Sequence, residues 1–326
     1  MWSQLADDLF LWRDCCNVYA IRRSDEAVLV DSGTGAVADH LEAIGVRRVA
    51  HVLHTHHHRD QCQGSLRLHA AGTALWAPAN FADVLEHPHA YKTQCLWYEP
   101  IPVDRVLPLS ETVFWRGIAL TPYAQPGHTR YAACIAFSVD GKRCLAIGDQ
   151  FVHNYVYANQ FALGDYPATV ELWRRLAPDR ILPGHGPAED GPAAIARFAA
   201  HAQETDDLHA RLLPLHEVDL GAGGQAAELY PYHAFPAPGG TVHLRVTARN
   251  PLPRDAETRV RLALPNGWRA EPGEAAIAVA ARGTGTVTFR LTVGGKAARR
   301  ARYAVELTVD GRPFGQVEEG FVTVQE

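Results

Sequence analysis

Four histidines, His54, His56, His57 and His58, crowd five consecutive positions at the end of the largely apolar run Val49 to Leu53. That run reads as a strand. The cluster therefore reads as a loop at a strand's C-terminal end, where α/β sheets place their ligand sites. Imidazole and carboxylate suit zinc and neighbouring divalent metals. In such a loop His56 and His58 can converge on one cation while Asp60 points toward a second. A polar loop with incidental histidines is the plain alternative. Three later positions of the same chemistry weigh against it. His128 follows Pro126-Gly127, and Asp149 follows Gly148 after the apolar run Cys144 to Ile147. His185 sits in Pro183-Gly184-His185-Gly186, after the strand-like Arg180-Ile181-Leu182. Glycine at such points lets backbone approach closely.

The rest of the first half alternates strand-like and helix-like stretches. Val18 to Ile21 and Ala27 to Val30 read as two strands joined by a polar turn, and Ala36 to Ile44 has helical spacing. Ala133 to Val139 and Arg143 to Ile147 predict a hairpin around Asp140-Gly141. Helices are predicted at Ala168 to Leu176 and Ala193 to Leu213. Such alternation argues for α/β layers. Near residue 215 the texture changes. Pro236-Ala237-Pro238-Gly239-Gly240 ends a Gly-, Ala- and Pro-rich stretch. Beyond it, period-two runs such as Val242 to Val246, Val260 to Leu264, Thr286 to Leu291 and Tyr303 to Leu307 suggest a small β-sandwich. The domain reading is a hydrolase domain over 1–217, a connecting segment over 218–239 and a β-sandwich over 240–326.

The motifs around the histidines resemble those of the metallo-β-lactamase superfamily. Thr55-His56-His57-His58-Arg59-Asp60 is similar to that family's His-x-His-x-Asp signature. Val30-Asp31-Ser32-Gly33, Pro126-Gly127-His128-Thr129, Gly148-Asp149 and Pro183-Gly184-His185-Gly186 match its other motifs in order, so the resemblance covers roughly residues 9–200. It implies an α+β fold, the αββα sandwich, followed here by the small all-β sandwich. Carried over by position, His56, His58 and His128 bind one metal, Asp60 and His185 a second, and Asp149 bridges both. Asp31 supports the metal loops. Most members carry His after the aspartate, whereas this chain has Gln61. Either Gln61 binds through its oxygen, or the second site lacks a ligand and holds metal less tightly. The implied cofactor is zinc, one or two ions, with iron or manganese as alternatives. His57 alternates away from His56 and His58, and His54 ends the strand, so both read as supporting residues. Cys62 reads first as a small buried residue.

Water on such a cation has its pKa lowered from near 16 to roughly 7, which supplies a hydroxide nucleophile at neutral pH. Asp60 and Asp149 would orient that nucleophile or accept its proton. The expected substrate is a small ester, thioester, lactone or amide, against walls drawn from Trp97, Tyr131, Tyr155 and Tyr157. Two other readings use the same scaffold: a mono-iron oxidoreductase of the persulfide-dioxygenase type, and a non-enzymatic metal-binding scaffold.

Composition narrows the partners. The net charge of -5 and the lack of long Lys/Arg runs give no reason to expect nucleic acid. No apolar stretch is long enough to span a bilayer, and the N-terminus lacks the basic start and apolar core of a signal peptide, so a cytoplasmic location is expected. Six cysteines without a Cys-x-x-Cys pair read as unpaired thiols. The C-terminal sandwich resembles the galactosidase-associated, fibronectin-like module through Leu264-Pro265-Asn266-Gly267-Trp268, with Trp268 as packing residue or ligand platform. It carries no candidate catalytic cluster. Bracing the hydrolase domain, shaping access to the site and homo-oligomerisation are its expected roles.

Overall fold

The chain is described here by a computed structural model covering residues 1–93, 95–97, 99–151, 164–212, 218–219 and 226–325. It divides into two units, Met1–Pro88 with Thr93–His209, and His89–Lys92 with Ala210–Glu326.

Two sheets form the centre of the first unit. One runs in chain order through β1 (Trp2–Ala6), β2 (Leu9–Arg13), β3 (Asn17–Arg23), β4 (Glu26–Val30), β5 (Arg48–Leu53), β6 (Ala74–Pro78) and β7 (Arg105–Leu107). Its first four strands form an antiparallel meander, and β4 to β7 are parallel. The other contains β8 (Val113–Trp115), β9 (Ile118–Ala124), β10 (Ala133–Val139), β11 (Lys142–Gly148), β12 (Arg180–Pro183) and β13 (Glu189–Asp190), with β11 and β12 parallel. Leu11, Tyr19, Ile21 and Val30 of the first sheet share one core with Leu120, Ile135, Phe137 and Val139 of the second. The sheets therefore stack face to face. The outer face of the second sheet is also apolar, and Cys134, Leu145 and Ile147 meet Trp173 of α4 (Asp165–Leu176) and Phe198 of α5 (Gly191–Leu212). On β5, Val49, Ala50, Val52 and Leu53 are all buried, as expected for a parallel strand covered on both faces. The short helices α1 (Arg59–Cys62), α2 (Ser65–Ala70) and α3 (Ala82–Glu86) follow β5 and β6, and Ala36–Ile44 forms a 3-10 helix after β4. The layers are helix, sheet, sheet and helix.

The β10–β11 hairpin turns at Asp140 and Gly141, both with positive φ, which is the conformation an Asp-Gly pair favours in a two-residue hairpin.

Period-two patterning produces the second unit. In β16 (Thr241–Arg249) and β17 (Ala256–Ala263) buried and exposed residues alternate. One sheet orders β14 (Ala227–Tyr230), β16, β20 (Thr284–Thr292) and β18 (Arg269–Glu271). The other orders β15 (His233–Ala234), β22 (Arg312–Val324), β21 (Ala298–Val309), β17 and β19 (Glu274–Val279). Leu244, Val246 and Phe289 share a core with Val260, Tyr303, Val305 and Val322, so the two sheets form a sandwich. Trp268 is partly buried and packs against that core. The segment 218–239, read from composition as a connection, carries β14 and β15, which pair with β16 and β22. Its sequence is rich in Gly, Ala and Pro, while the pairing comes from long-range partners. No described helix is long and apolar enough to cross a membrane.

Candidate metal centre

Each sequence-predicted ligand sits just beyond a strand end. His56, His58 and Asp60 follow β5, His128 follows β9, Asp149 follows β11 and His185 follows β12. The fold gathers them into two groups that share one aspartate. Ligand atoms of His56, His58, His128 and Asp149 lie close together and buried, and those of Asp60, Asp149 and His185 form a more open set.

The distances run through a single oxygen. Oδ2 of Asp149 is 3.8 Å from His56 Nε2, 3.7 Å from His128 Nε2 and 3.2 Å from His185 Nε2. His58 Nδ1 is 3.0 Å from His128 Nε2, and His185 Nε2 is 3.0 Å from Asp60 Oδ2. Donors about 2.0–2.1 Å from a tetrahedral cation stand roughly 3.3 Å from each other, so these spacings fit one. His56 Nε2 is buried with no hydrogen-bond partner, an orphaned lone pair that a cation would satisfy. The donor set is that of a borderline divalent metal.

Electrostatics prepares both groups. Burial, then the neighbouring histidines, hold His56 and His58 far below the usual imidazole range, so both are neutral and offer lone pairs. His185 is the reverse. Hydrogen bonds to Asp149 and Asp60 raise it to about 10, outweighing burial. Burial pushes the Asp60 carboxyl up, but the His185 hydrogen bond and charge more than offset it. Positive charge between these carboxylates thus sits on an imidazolium, where a divalent cation would replace the proton. Exposure separates the groups as well. The His56 side chain is 1% exposed, against 39% for His185 and 35% for Asp60.

Behind the ligands runs a fixed relay. Asp31, with φ 61°, accepts the Thr55 amide and hydroxyl, each at 2.8 Å, through its two carboxylate oxygens. Thr55 Oγ1 lies 3.1 Å from His56 Nδ1. With its own proton given to Asp31, that hydroxyl accepts from Nδ1–H and leaves Nε2 free for a cation. Burial raises the Asp31 carboxyl, and the two Thr55 bonds oppose the rise. Gly148, at φ 53°, could not carry a side chain, because a Cβ would stand 2.6 Å from Thr55 Oγ1.

The other predicted residues have definite places. His54 is fully buried, with Nδ1 3.3 Å from the Trp76 carbonyl and Nε2 2.6 Å from Ser65 Oγ, and burial lowers it to about 4. His57 also points away from the ligand atoms, with Nε2 3.1 Å from Thr93 Oγ1 and its ring 5.7 Å from that of Tyr131. Gln61 is completely buried and its Nε2 donates to Asp149 Oδ1 at 2.9 Å. The buried Cys62 thiol donates to the His57 carbonyl, and burial pushes its pKa up. Trp97 is partly buried, while Tyr155 and Tyr157 lie outside the described residues.

Several supporting residues gave no sequence signal. Asn17 and Tyr19 hold the His185 loop: Asn17 Nδ2 donates to the Pro183 and Gly186 carbonyls at 2.8 Å each, and Tyr19 OH donates to Pro183 at 2.7 Å. Gln150 Oε1 accepts the His128 amide at 3.2 Å. Leu96 bridges to His58, and the Cys95 carbonyl accepts the Arg59 amide at 2.7 Å. These partners are distant in sequence, and only the charge and glycine patterns of the ligand loops are local.

Solved structures share this fold. A subclass B3 metallo-beta-lactamase, BJP-1 of Bradyrhizobium japonicum, superposes with a TM-score of 0.54 at 21% identity, covering 66% of this chain and 96% of its own. A HARLDQ-motif mutant of the metallo-beta-lactamase from Cronobacter sakazakii gives 0.52 at 18%, covering 66% and 98%. The class B3 di-zinc metallo-beta-lactamase LRA-12 from an Alaskan soil metagenome gives 0.52 at 18%, covering 63% and 92%. At these identities the likeness speaks for the fold. No curated protein matches the chain. Residues 12–185, more than half of the sequence and all of the ligand loops, match the profile of the metallo-beta-lactamase superfamily. The chain belongs to the metallo-beta-lactamase superfamily.

Proposed function

We propose that this protein is a metal-dependent hydrolase, with zinc as the cation, acting on a small ester, thioester, lactone or amide. One observation carries the reading. Asp149 Oδ2 faces both a buried histidine group and a half-open Asp60–His185 group. That pairing of a closed and an open donor set favours hydrolysis over the mono-iron oxygenase alternative.

A divalent cation bound there supplies a Lewis acid for a carbonyl oxygen and lowers the pKa of water. The protein's own groups do the rest. His56, His58 and His128 present lone pairs fixed by burial, and Thr55 sets the tautomer of His56. Asp60 Oδ2, at the exposed side, orients the attacking water and accepts its proton. His185 Nε2 lies within 3.0 Å of that oxygen. Tyr131, beside His57, contributes an apolar wall.

A panel of esters, thioesters, lactones and amides, tested with zinc-loaded and chelated protein, decides the matter. Turnover that needs zinc and disappears in His56→Ala is expected. Oxygen uptake with one bound iron per chain, and no hydrolysis with zinc, would replace this reading with the oxygenase.

The C-terminal unit enters the proposal as a galactosidase-associated type of module without chemistry of its own. Trp268 packing against its core supports a structural part for that residue.

A further inference from the structure

Gln61 is polar and fully buried, and it touches the carboxylate shared by both donor groups. Its amide nitrogen donates to Asp149 Oδ1 at 2.9 Å. The opposite orientation would set two acceptors, an amide oxygen and a carboxylate oxygen, against each other, so the nitrogen must face Asp149. Gly184 packs on the same oxygen so closely that a Cβ there would lie 2.1 Å from Oδ1. Oδ1 is therefore held on two sides. Oδ2 is the oxygen turned toward His56, His128 and His185.

The backbone of Gln61 is equally tied down. Its carbonyl accepts the Ser32 amide and hydroxyl, each at 2.8 Å, and its own amide donates to the His58 carbonyl at 3.1 Å. The side-chain Oε1 is buried and has no hydrogen-bond partner. An unmet buried acceptor costs about 1–3 kcal/mol. The bond at the other end of the side chain, to Asp149, is what offsets that cost.

We propose that Gln61 is the positioning residue of the shared carboxylate: its amide locks Asp149 Oδ1, so that Oδ2 alone serves both donor groups. The inference rests on the metal-dependent reading of the site. It places Gln61 behind Asp149 and leaves the second position with three protein donors, Asp60, Asp149 and His185. Three protein donors and one open position are the arrangement that admits a substrate oxygen.

Gln61→Met keeps length and volume but removes the donor. The test is Co(II) titration of the full chain against a chromophoric chelator, with the visible ligand-field spectrum recorded at each equivalent. Gln61→Met should weaken the first Co(II) by about tenfold or more and shift its bands, since partners of this kind change affinity by about 10–100-fold. In an Asp149→Ala background, which removes the acceptor, the same substitution should have no further effect on the first equivalent, because the two residues act through one contact. Gln61→Asn, one methylene too short to span the gap, should show the same loss if the methionine variant does not fold. An unchanged first equivalent, with only the second lost, would overturn the proposal and make Gln61 Oε1 a ligand. Wild-type protein that takes up no Co(II) would overturn the metal-dependent reading itself. Uptake with normal first-site affinity in both Gln61 variants would overturn only the positioning role.

Discussion

Nδ1 of His58 and Nε2 of His128 stand 3.0 Å apart, although 70 residues separate them in the chain. His128 Nε2 lies 3.7 Å from Asp149 Oδ2, His58 belongs to the same buried donor group, and burial keeps His58 neutral. His58→Ala and His128→Ala should each remove the buried metal position and abolish zinc-dependent turnover. Elemental analysis after dialysis, run beside the activity assay, checks both. A variant that keeps its metal and its rate would exclude that histidine from the centre.

Removing the cation should also cost stability. A ligand held at about a thousand times its Kd stabilises the folded state by about 4 kcal/mol. Chelated protein should therefore melt several degrees below zinc-loaded protein. In His56→Ala, chelation should leave the melting temperature nearly unchanged. Calorimetry of the four samples gives the answer.

Thr55 links Asp31 to His56 through one hydroxyl. Thr55→Val has nearly the same shape and no hydroxyl. It should lower zinc affinity by about 10–100-fold, while Thr55→Ser stays close to wild type. Competition with a fluorescent chelator measures the difference. Equal affinities for Val and Ser would show that the hydroxyl does not set the ring.

Acid should destabilise the metal-free protein through His54. Burial lowers its folded pKa to about 4 from the ordinary 6.5. The unfolded chain then binds the extra proton between those values. Stability from this group is complete above pH 6.5, falls as pH drops and levels off below 4. Relative to His54→Gln, wild type should lose about 3 kcal/mol across that window. Urea midpoints of the two proteins at several pH values would reveal it. A difference that stays constant with pH would contradict the assignment.

Phe198 of α5 is buried against Trp173, with ring centroids 4.8 Å apart. Phe198→Ala should cost about 3–5 kcal/mol. Denaturant unfolding of the zinc-free variant measures it, and a loss below about 1 kcal/mol would mean that α5 contributes little to covering the sheet.

Legibility followed the range of the interactions. Alternation in β16 and β17 needs only neighbours, and the Asp140-Gly141 turn is fixed by two residues, so both could be read directly. The ligand loops were equally local, since each sets a histidine or aspartate beside a glycine or a strand end. The edge strand β1 carries no local signal, because Trp2–Ala6 mixes polar and apolar residues and gains its conformation by pairing with β2. β14 and β15 were hidden in the same way by glycine and proline around them. Asn17, Tyr19, Thr93 and Gln150 could not be singled out, because each acts on a loop far away in the chain. Gln61 stands out in the sequence by its departure from the family's histidine. Its bond to Asp149 depends on a partner 88 residues distant.

The ligands come from four separate stretches of chain, at 56–60, 128, 149 and 185, springing from both sheets. No disulfide joins any of the six cysteines. A bound cation would act as a removable cross-link, pinning both sheets at one end without a covalent bond. Metal supply would then govern how long the folded chain survives a protease as well as whether it turns over substrate.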